Sequence, residues 1–572
     1  MPVVDEICYH AFDLGVRAVD AYTLVTKSVR FHDSKIEIQN TVYNVTGRLV
    51  VFGIGKAALG MLRAIFNVPG VRIDSAIGCV PQPTENELSD EGFCSGSSRA
   101  LLGIGEDSLR HNSRIRLFYG PRTNLPNEEV VQASVLMSQT AISLGVNDLL
   151  LVCLTGGGSA LLTLPKGFRG GRLPLTDVLT TIKLVSSAGA DISELNAVRS
   201  CLDELKAGGL ASLAYPAQVV CLIISDVIGD PIQYIASGPT YINPQFPASL
   251  RTNRCLEVLQ QYDLLNELPQ NIQAFLTKEQ STPSVDDTRT HRVHNWIIGN
   301  NSVALNTASS IFGSPKPQDV NLSVMDADAT NAYYPIDRIL RYTRSIFPVV
   351  LTNTLHGDAS GKGRIFAELL WCTASYLVST RIKDCKEVTS MERKMADLVA
   401  GLIDDTNNID PIREACLKAV SNGKNECGSS ETIGICLLLG GEATVTVPSF
   451  GLETTPLGGR CSHFALAAAV RWYELKQNEH EYATQKFHKI GLLAGASDGL
   501  DGPTACGGGV WVSAFPQPTI NSPGLYRSAL QCLEHCNSYG FFKECDADVI
   551  LPAKLTNTNV MDLMIGVAVV NR

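Results

Sequence analysis

The 572-residue sequence lacks several features that would each indicate a particular class of protein. It has no excess of basic residues: the formal net charge is −10, which argues against a nucleic-acid or acidic-membrane partner. No uninterrupted apolar run reaches membrane-spanning length. The N-terminus, with Asp5, Glu6 and Asp13, lacks the basic start of a secretory signal and the Arg-rich character of a transit peptide. These absences predict a cytoplasmic protein with no nucleic acid or membrane partner, and they disfavour mitochondrial import.

The sequence also lacks standard metal and nucleotide motifs. Its 17 cysteines are scattered and show no paired CxxC spacing of a zinc site, so we expect reduced, largely buried thiols. The segment GIGKAALGM is not a Walker loop, because Lys56 is followed by Ala57 where Ser or Thr would bind magnesium. It does not match GxGxxG either, because its third glycine, Gly60, comes late.

What the sequence does contain is one repeated pattern, an apolar run followed by a polar, glycine-rich loop. Hydrophobic residues make up 45% and charged residues 18%, which is typical of a globular chain with an ample core. Apolar runs repeatedly end in loops rich in Gly, Asp and Asn, as in LLAGASDGLDGPT from Leu492 to Thr504. Repeated units of this kind predict α/β architecture with parallel sheets, and ligands in such sheets bind beyond the carboxyl ends of the strands.

Two of these units predict sites for a phosphate group. In RLVVFGIGK, backbone N–H groups and the ammonium of Lys56 would form an anion site, with Gly53 and Gly55 in the turn. The alternative is an ordinary surface lysine. In LLLVCLTGGGSALL, the triple glycine lets a ligand approach the backbone closely. A plain tight turn is the alternative there. The predicted cradle consists of Gly156, Gly157, Gly158 and Ser159.

Further units supply charged groups. Asp226 lies just past the strand QVVCLII, the usual position of a magnesium-holding aspartate, and a Ser237-Gly238 loop follows. Asp498 and Asp501 suit a magnesium ion, although an Asp-Gly turn explains them equally well. Arg460, before an apolar helix, could stabilise a transferring phosphoryl group, and the alternative is a surface ion pair. Other loop residues predicted near a nucleotide are Asn300, Gly440, Gly441 and Glu442.

The segment from Ile192 to Leu210 is predicted to be helical. Asn196, Arg199 and Lys206 then fall on one face together with Asp203. Two cations beside an amide could hold a carboxylate or a phosphate. From the residues alone, a solvated charged face is the favoured alternative.

Taken together, the motifs resemble the glycerate kinase family with a C-terminal MOFRL-type domain. They occur in the family's order over nearly the whole chain, and SDVIGDPIQYIASGPT and DGLDGPT are the most specific. The resemblance implies two α/β domains with mainly parallel, Rossmann-like sheets and an active-site cleft between them. It implies ATP-dependent phosphorylation of D-glycerate with Mg²⁺ in serine and glycerate metabolism, by a monomer or homodimer. The product could be the 2- or the 3-phosphate.

Carried over residue by residue, the resemblance makes Lys56 and Arg460 the catalytic cations and Asp226 a base or metal ligand. It adds Asp498 and Asp501 as metal ligands, and it strengthens Asn196, Arg199 and Lys206 as substrate-binding residues. The expected ranges are a first domain at 1–245, a junction at 246–292 and a MOFRL-type domain at 293–572. The polar stretches 86–114, 315–344 and 421–430 are expected to be insertions.

The sequence departs from the family pattern at three points. Cys461, Ser462 and His463 stand where the family usually has Asn-Gln-Glu, and Asn557 stands where the family has glycine. The expected TDG is Ser497-Asp498-Gly499, a mild change that keeps a hydroxyl. The first departure motivates an alternative, a catalytically impaired binding or scaffold protein. A less favoured alternative is an NADH-dependent hydroxypyruvate reductase, since glycine turns after strands also bind dinucleotides, but a true GxGxxG is lacking.

Overall fold

The structure is a computed structural model, and it describes fourteen stretches of the chain. These are residues 4–82, 115–121, 125–243, 248–279, 292–313, 342–404, 406–425, 432–447, 457–478, 487–502, 504, 506–545, 550–552 and 556–571. Most of the three segments predicted to be insertions lies outside these residues. Among the described residues, no helix has the length and apolar character needed to cross a bilayer.

The chain forms two compact units, which we call the inner unit and the outer unit for their positions along the sequence. The inner unit is Asp20–Asn300, and the outer unit combines Met1–Val19 with Asn301–Arg572. Helix α1 (Val4–Ala18) therefore packs with the C-terminal part of the chain, chiefly against the helix that begins at Asn301. These contact-based units do not coincide with the predicted ranges. In particular, the segment predicted to be a junction contains two helices of the inner unit.

The inner unit alternates strands and helices. In chain order its elements are α2 (Ala21–Ser28), β1 (Val29–His32), β2 (Lys35–Ile38), β3 (Thr41–Asn44), β4 (Leu49–Ile54), α3 (Ala58–Phe66), β5 (Ser75–Pro81), β6 (Ile115–Gly120), α4 (Glu128–Ile142), β7 (Leu149–Leu154), α5 (Gly158–Leu161), β8 (Gly167–Phe168), β9 (Gly171–Arg172), α6 (Leu175–Ser187), α7 (Ile192–Leu202), α8 (Gly209–Ala214), β10 (Gln218–Ile224), a 3₁₀ turn (Ile235–Ser237), α9 (Ala248–Gln261), α10 (Gln270–Glu279) and β11 (Val293–Gly299).

The main sheet of the inner unit has six parallel strands in the order β11-β10-β7-β4-β5-β6. The chain runs outward from β4 to β6, returns to β7 beside β4, and then continues in the opposite direction to β11. The reversal between β4 and β7 is a topological switch point, where doubly wound sheets bind ligands. Every residue of β4 and β7 is buried, as expected for parallel strands covered on both faces. The predicted Rossmann-like sheet is therefore confirmed for this unit.

The outer unit is built around a second six-stranded sheet. In chain order, after α1, its elements are α11 (Asn301–Ser309), β12 (Ile346–Leu355), α12 (Ala359–Ile382), α13 (Cys385–Leu402), α14 (Asp410–Asn425), β13 (Thr432–Gly441), α15 (Arg460–Asn478), β14 (Phe487–Ala496), β15 (Cys506–Phe515), α16 (Pro523–Glu534), α17 (Ser538–Cys545), β16 (Ile550–Pro552) and β17 (Asp562–Asn571).

The strand directions in this second sheet differ from the prediction. Its order is β12-β13-β17-β14-β15-β16, and among these described strands β12–β13 is the one parallel pairing, while the other four pairings are antiparallel. The buried apolar runs of β13, β14 and β17 are as uniform as those of a parallel sheet, because helices cover them too. Burial therefore indicates strands here but not their direction. The α/β class is confirmed, whereas the expectation of mainly parallel strands holds only for the inner unit.

Candidate active site

The loops after β4 and β7 are joined to each other by their backbones. The Lys56 N–H donates to the Gly156 carbonyl at 2.8 Å, and the Ala57 N–H donates to Oγ1 of Thr155 at 3.1 Å. Gly55 must be glycine, since its φ is +120° and a Cβ would lie 2.3 Å from Thr155 Oγ1. The predicted phosphate loops thus form one structure at the switch point.

The side chain of Lys56 lies over the second glycine loop. A Cβ on Gly157, whose φ is +79°, would come within 3.1 Å of Lys56 Cγ. Lys56 itself is exposed, as an anion-binding lysine requires. A Cβ on Gly158 would meet Ala236 at 2.5 Å, so this glycine lets the 3₁₀ turn approach. Gly53 makes room for Leu62 of α3, and its role is therefore packing.

A chain of hydroxyl and amide groups extends from this loop to α7. Ser159 and Ser237 share a hydrogen bond of 2.9 Å between their Oγ atoms, and Ser237 Oγ donates to Oδ1 of Asn196 at 2.8 Å. The Nδ2 of Asn196 is buried and has no hydrogen-bond partner within the described part of the chain. Gly238 follows at φ +59° and lets the turn close on Gln233. The structure therefore brings Ser159, Ser237 and Asn196 together.

Arg199 lies one turn after Asn196 on α7 and is half-buried. Burial lowers the pKa of its guanidinium, and no carboxylate among the described residues compensates its charge. A desolvated guanidinium beside an unpaired amide N–H is suited to bind a carboxylate or phosphate of a ligand.

Lys206 does not share this role, and its prediction as a substrate-binding residue is not supported. The helix ends at Leu202, so Lys206 is not on the face of Asn196 and Arg199. Its Nζ donates to the Ser159 and Leu162 carbonyls, both at 2.7 Å, and lies 3.8 Å from buried Asp203. Burial, opposed by Asp203 and assisted by the charge of Arg199, lowers the pKa of Lys206. Lys206 is a structural lysine, because its Nζ ties the chain after the glycine loop through the carbonyls of Ser159 and Leu162.

The ends of β10 and β11 supply oxygen atoms at the same edge of the sheet. Asp226 follows β10 and is half-buried. Asn300 follows β11 and donates from Nδ2 to Oδ2 of Asp230 at 2.6 Å. Asp230 adopts φ +55°, a conformation that aspartate tolerates better than most residues. The neighbouring strands β4, β7, β10 and β11 are thus each followed by residues of the candidate site.

The outer unit has its own cluster of candidate residues, organised around Arg460, the first residue of α15. Its Nε and Nη2 donate to the two carboxylate oxygens of Asp562 at 2.6 and 2.8 Å, and Glu442 Oε1 lies 3.4 Å from Nη2. Burial alone lowers the pKa of Arg460, but the charges of Asp562 and Glu442 outweigh it and raise the pKa. Arg460 is therefore a fixed, permanently charged group.

Asp562 sits where three strands meet. It begins β17 and pairs in register with Gly441 of β13 and Ala496 of β14. The antiparallel direction of β17 thus places its first residue beside the last residues of its neighbours. Burial raises the pKa of Asp562, and Arg460 opposes this shift. Gly440 and Gly441 are required by packing, since Cβ atoms there would strike Asn301 Oδ1 at 1.7 Å and the Leu355 carbonyl oxygen at 2.2 Å.

The two aspartates after β14 differ in what their carboxylates do. Asp498 is half-buried, and its Oδ1 accepts from the Leu500 N–H at 3.1 Å. Asp501 is fully buried, and its two oxygens accept the backbone N–H groups of Cys461 and Ser462 at 2.8 and 2.9 Å. Asp501 therefore caps α15, and this structure does not support it as a metal ligand.

Two protein-family models and several curated proteins match this chain. Residues 7–277 match the model of a domain of unknown function (DUF4147), and residues 435–562 match that of the MOFRL family. Glycerate kinase of Rattus norvegicus is 31% identical over 96% of this chain and 91% of its own length. That of Bos taurus is 32% identical over 92% of this chain and 86% of its own.

The chain belongs to the glycerate kinase family.

A solved structure shows the same fold. The crystal structure of glycerate kinase from Thermotoga maritima matches with a TM-score of 0.61 at 21% identity, and the match covers 99% of both chains. Glycerate 2-kinase of Pyrococcus horikoshii is 28% identical over 53% of this chain and 60% of its own.

The departures from the glycerate kinase pattern are accommodated locally. The backbone N–H groups of Cys461 and Ser462 donate to Asp501, and Ser462 Oγ accepts the Gly459 N–H at 3.1 Å, so the residues present bond at the start of α15. His463 is buried, and its Nδ1 has no partner among the described residues. Asn557 adopts φ +56°, which confirms that a non-glycine residue takes this turn.

Two residues of this site escaped the sequence analysis. Thr155 looks like an ordinary strand-end residue, yet its hydroxyl joins the two glycine loops. Asp562 belongs to the motif TNTNVMDL, where an acidic residue directly before the apolar run of β17 was the available signal. A charged residue that opens a fully buried strand needs a partner, and the sequence does not show which residue provides it.

Proposed function

We propose that this member of the glycerate kinase family transfers the γ-phosphoryl group of ATP to a hydroxyl of D-glycerate. The single observation that carries the proposal is the position of Lys56, exposed across Gly157 at the switch point of a doubly wound sheet. Phosphoryl transfer needs positioning and charge neutralisation rather than a protein nucleophile. A cation on two joined glycine loops fits that requirement.

In this proposal each polar group has one role. Lys56 and Arg460 neutralise charge on the transferred phosphoryl group. Asp226 accepts the proton of the attacking hydroxyl. Asn196 Nδ2 and Arg199 hold the glycerate carboxylate, since both have donors that the described residues leave unmatched. The loop of Gly156, Gly157, Gly158 and Ser159 accommodates phosphate oxygens, with Ser237 behind it.

A magnesium ion fits the residues in a limited way. No group of three or more Asp, Glu, His or Cys side chains in the described part of the chain could form an all-protein metal site. Mg²⁺ commonly keeps several waters and binds one or two carboxylates together with substrate phosphates. Asp226 and Asp498 are each suited to that mode, and Asp501 is not. When bound, the ion would neutralise charge on the phosphate oxygens.

The test is a product assay with purified protein, ATP, magnesium and D-glycerate, read by phosphorus NMR. The proposal predicts a phosphoglycerate signal, and its chemical shift distinguishes the 2-isomer from the 3-isomer. ATP binding without product would instead favour the impaired binding protein motivated by Cys461, Ser462 and His463. Oxidation of NADH by hydroxypyruvate would favour the reductase.

A further inference from the structure

Arg460 and Asp562 form an ion pair in which the carboxylate is fully buried. The side chain of Asp562 is 0% exposed and that of Arg460 is 20% exposed. A carboxylate removed from water in this way is costly unless it is paired and hydrogen-bonded. Both of its oxygens meet the Nε–Nη2 edge of the guanidinium, which is the bidentate geometry that fixes the plane of an arginine.

The pairing uses only part of the guanidinium. Arginine carries five N–H donors, and the Asp562 carboxylate takes one from Nε and one from Nη2. No described residue accepts from Nη1, and Glu442, the remaining anion near Nη2, is 46% exposed and 3.4 Å away. The Nη1–Nη2 edge is therefore left for an anion, and that edge matches two oxygens of a phosphoryl group.

The backbone around Asp562 is held independently of Arg460. Asn301 Nδ2 donates to the carbonyls of Val560 and Asp562 at 2.8 and 3.0 Å. Ser497 Oγ accepts the Val560 N–H at 2.8 Å. The strand pairing of Asp562 with Gly441 and Ala496 fixes it further. The carboxylate is thus a rigid support, while Arg460 reaches it through a long side chain.

We propose that Asp562 is a positioning residue for phosphoryl transfer, which holds Arg460 so that its Nη1–Nη2 edge meets the phosphoryl oxygens. The inference rests on the proposed role of Arg460. Loss of the Asp562 charge would leave the guanidinium free to rotate about its side-chain bonds. The rate would then fall because the anion-binding edge is no longer fixed before the reaction.

The test is a double-mutant cycle in the full chain with ATP, magnesium and D-glycerate. We expect Arg460→Ala to lower kcat about 100- to 1,000-fold and Asp562→Asn to lower it about 10- to 100-fold. The double variant should be no slower than Arg460→Ala alone, within about threefold, because Asp562 acts only through Arg460. Glu474→Gln is the matched control, since Glu474 lies on the same helix and pairs with Arg364 and Arg471 away from Arg460. It should keep the parental kcat.

A second variant covers the case in which Asp562→Asn does not fold. Arg460→Lys keeps a positive charge for Asp562 but lacks the planar edge, and we expect it to lose at least about tenfold in kcat. Two results would overturn the inference while leaving the kinase proposal intact. One is a fall in kcat of the double variant equal to the product of the two single losses. The other is an Arg460→Lys rate within twofold of the parent. An unchanged rate for Arg460→Ala would overturn the proposed role of Arg460 itself.

Discussion

The two units hold their candidate catalytic cations in different ways. Lys56 rests on backbone, because its loop is tied to Gly156 and its side chain crosses Gly157. Arg460 rests on a side chain, the buried carboxylate of Asp562. The glycine loops leave Lys56 exposed. The Asp562 carboxylate instead fixes the orientation of Arg460 and compensates part of its charge. In the proposed reaction, Lys56 would supply its charge from a glycine loop, and Arg460 would supply its charge from a guanidinium held by Asp562.

Lys206 sharpens the comparison, because it is a cation beside the glycine loop whose Nζ bonds to backbone carbonyls and lies near Asp203. We expect Lys206→Met to destabilise the protein by about 3–5 kcal/mol, since it leaves Asp203 buried without its partner. Urea denaturation followed by circular dichroism measures this free energy. The double variant Lys206→Met with Asp203→Asn should recover part of the loss. Full stability of the single variant together with a raised KM for glycerate would show that Lys206 binds substrate after all.

Arg199 is the cation of the inner unit that we expect to bind the glycerate carboxylate. Arg199→Met should raise the KM for glycerate about 10- to 100-fold, because one charge-assisted contact to the carboxylate is lost. The KM for ATP should change little. Lys183→Met, an exposed lysine on the neighbouring helix α6, is the control. Steady-state kinetics with each substrate varied in turn make the measurement, and an increase confined to the KM for ATP would place Arg199 at the nucleotide instead.

The smallest expected effect is on the pH dependence of stability, and it concerns His463 on α15, the helix that begins at Arg460. Burial lowers the pKa of His463, although Asp358 and Asp501 oppose the shift. Below the histidine's ordinary value of about 6.5, the unfolded chain binds a proton that the folded chain does not, so stability is lost as pH falls. We expect His463→Asn to lose less stability between pH 7.5 and 5 than the parent. Urea midpoints at the two values measure this, with exposed His535→Asn as the control, and equal losses in all three proteins would contradict the expectation.

The sequence predicted those parts of the fold and site that depend on neighbouring residues. The strands before Lys56, Gly156 and Asp498 were predicted because each is a buried apolar run that ends in a glycine turn. The end of α7 was missed because no glycine or proline follows Leu202, and the chain leaves the helix where Asp203 and Lys206 become buried. Helices α9 and α10 were missed because their apolar positions are interspersed with many polar ones.

Long-range partners could not be predicted from one chain. Arg460 and Asp562 are 102 positions apart, and Asp501 caps a helix that begins 41 positions earlier. Strand direction in the outer sheet was missed for the same reason, since burial of β13 and β17 does not show which way they pair. Only the folded structure brings these groups together.

The most direct test of the account is the rate of Lys56→Ala, measured by rapid quench with the variant saturated by ATP, magnesium and D-glycerate. Lys56 should contribute mainly to the transition state, so we predict retained ATP binding and a phosphoryl-transfer rate lowered about 100- to 1,000-fold. Lys183→Ala should react at the parental rate. Unchanged transfer by Lys56→Ala would contradict the claim that this lysine, at the switch point of the inner sheet, acts on the phosphoryl group.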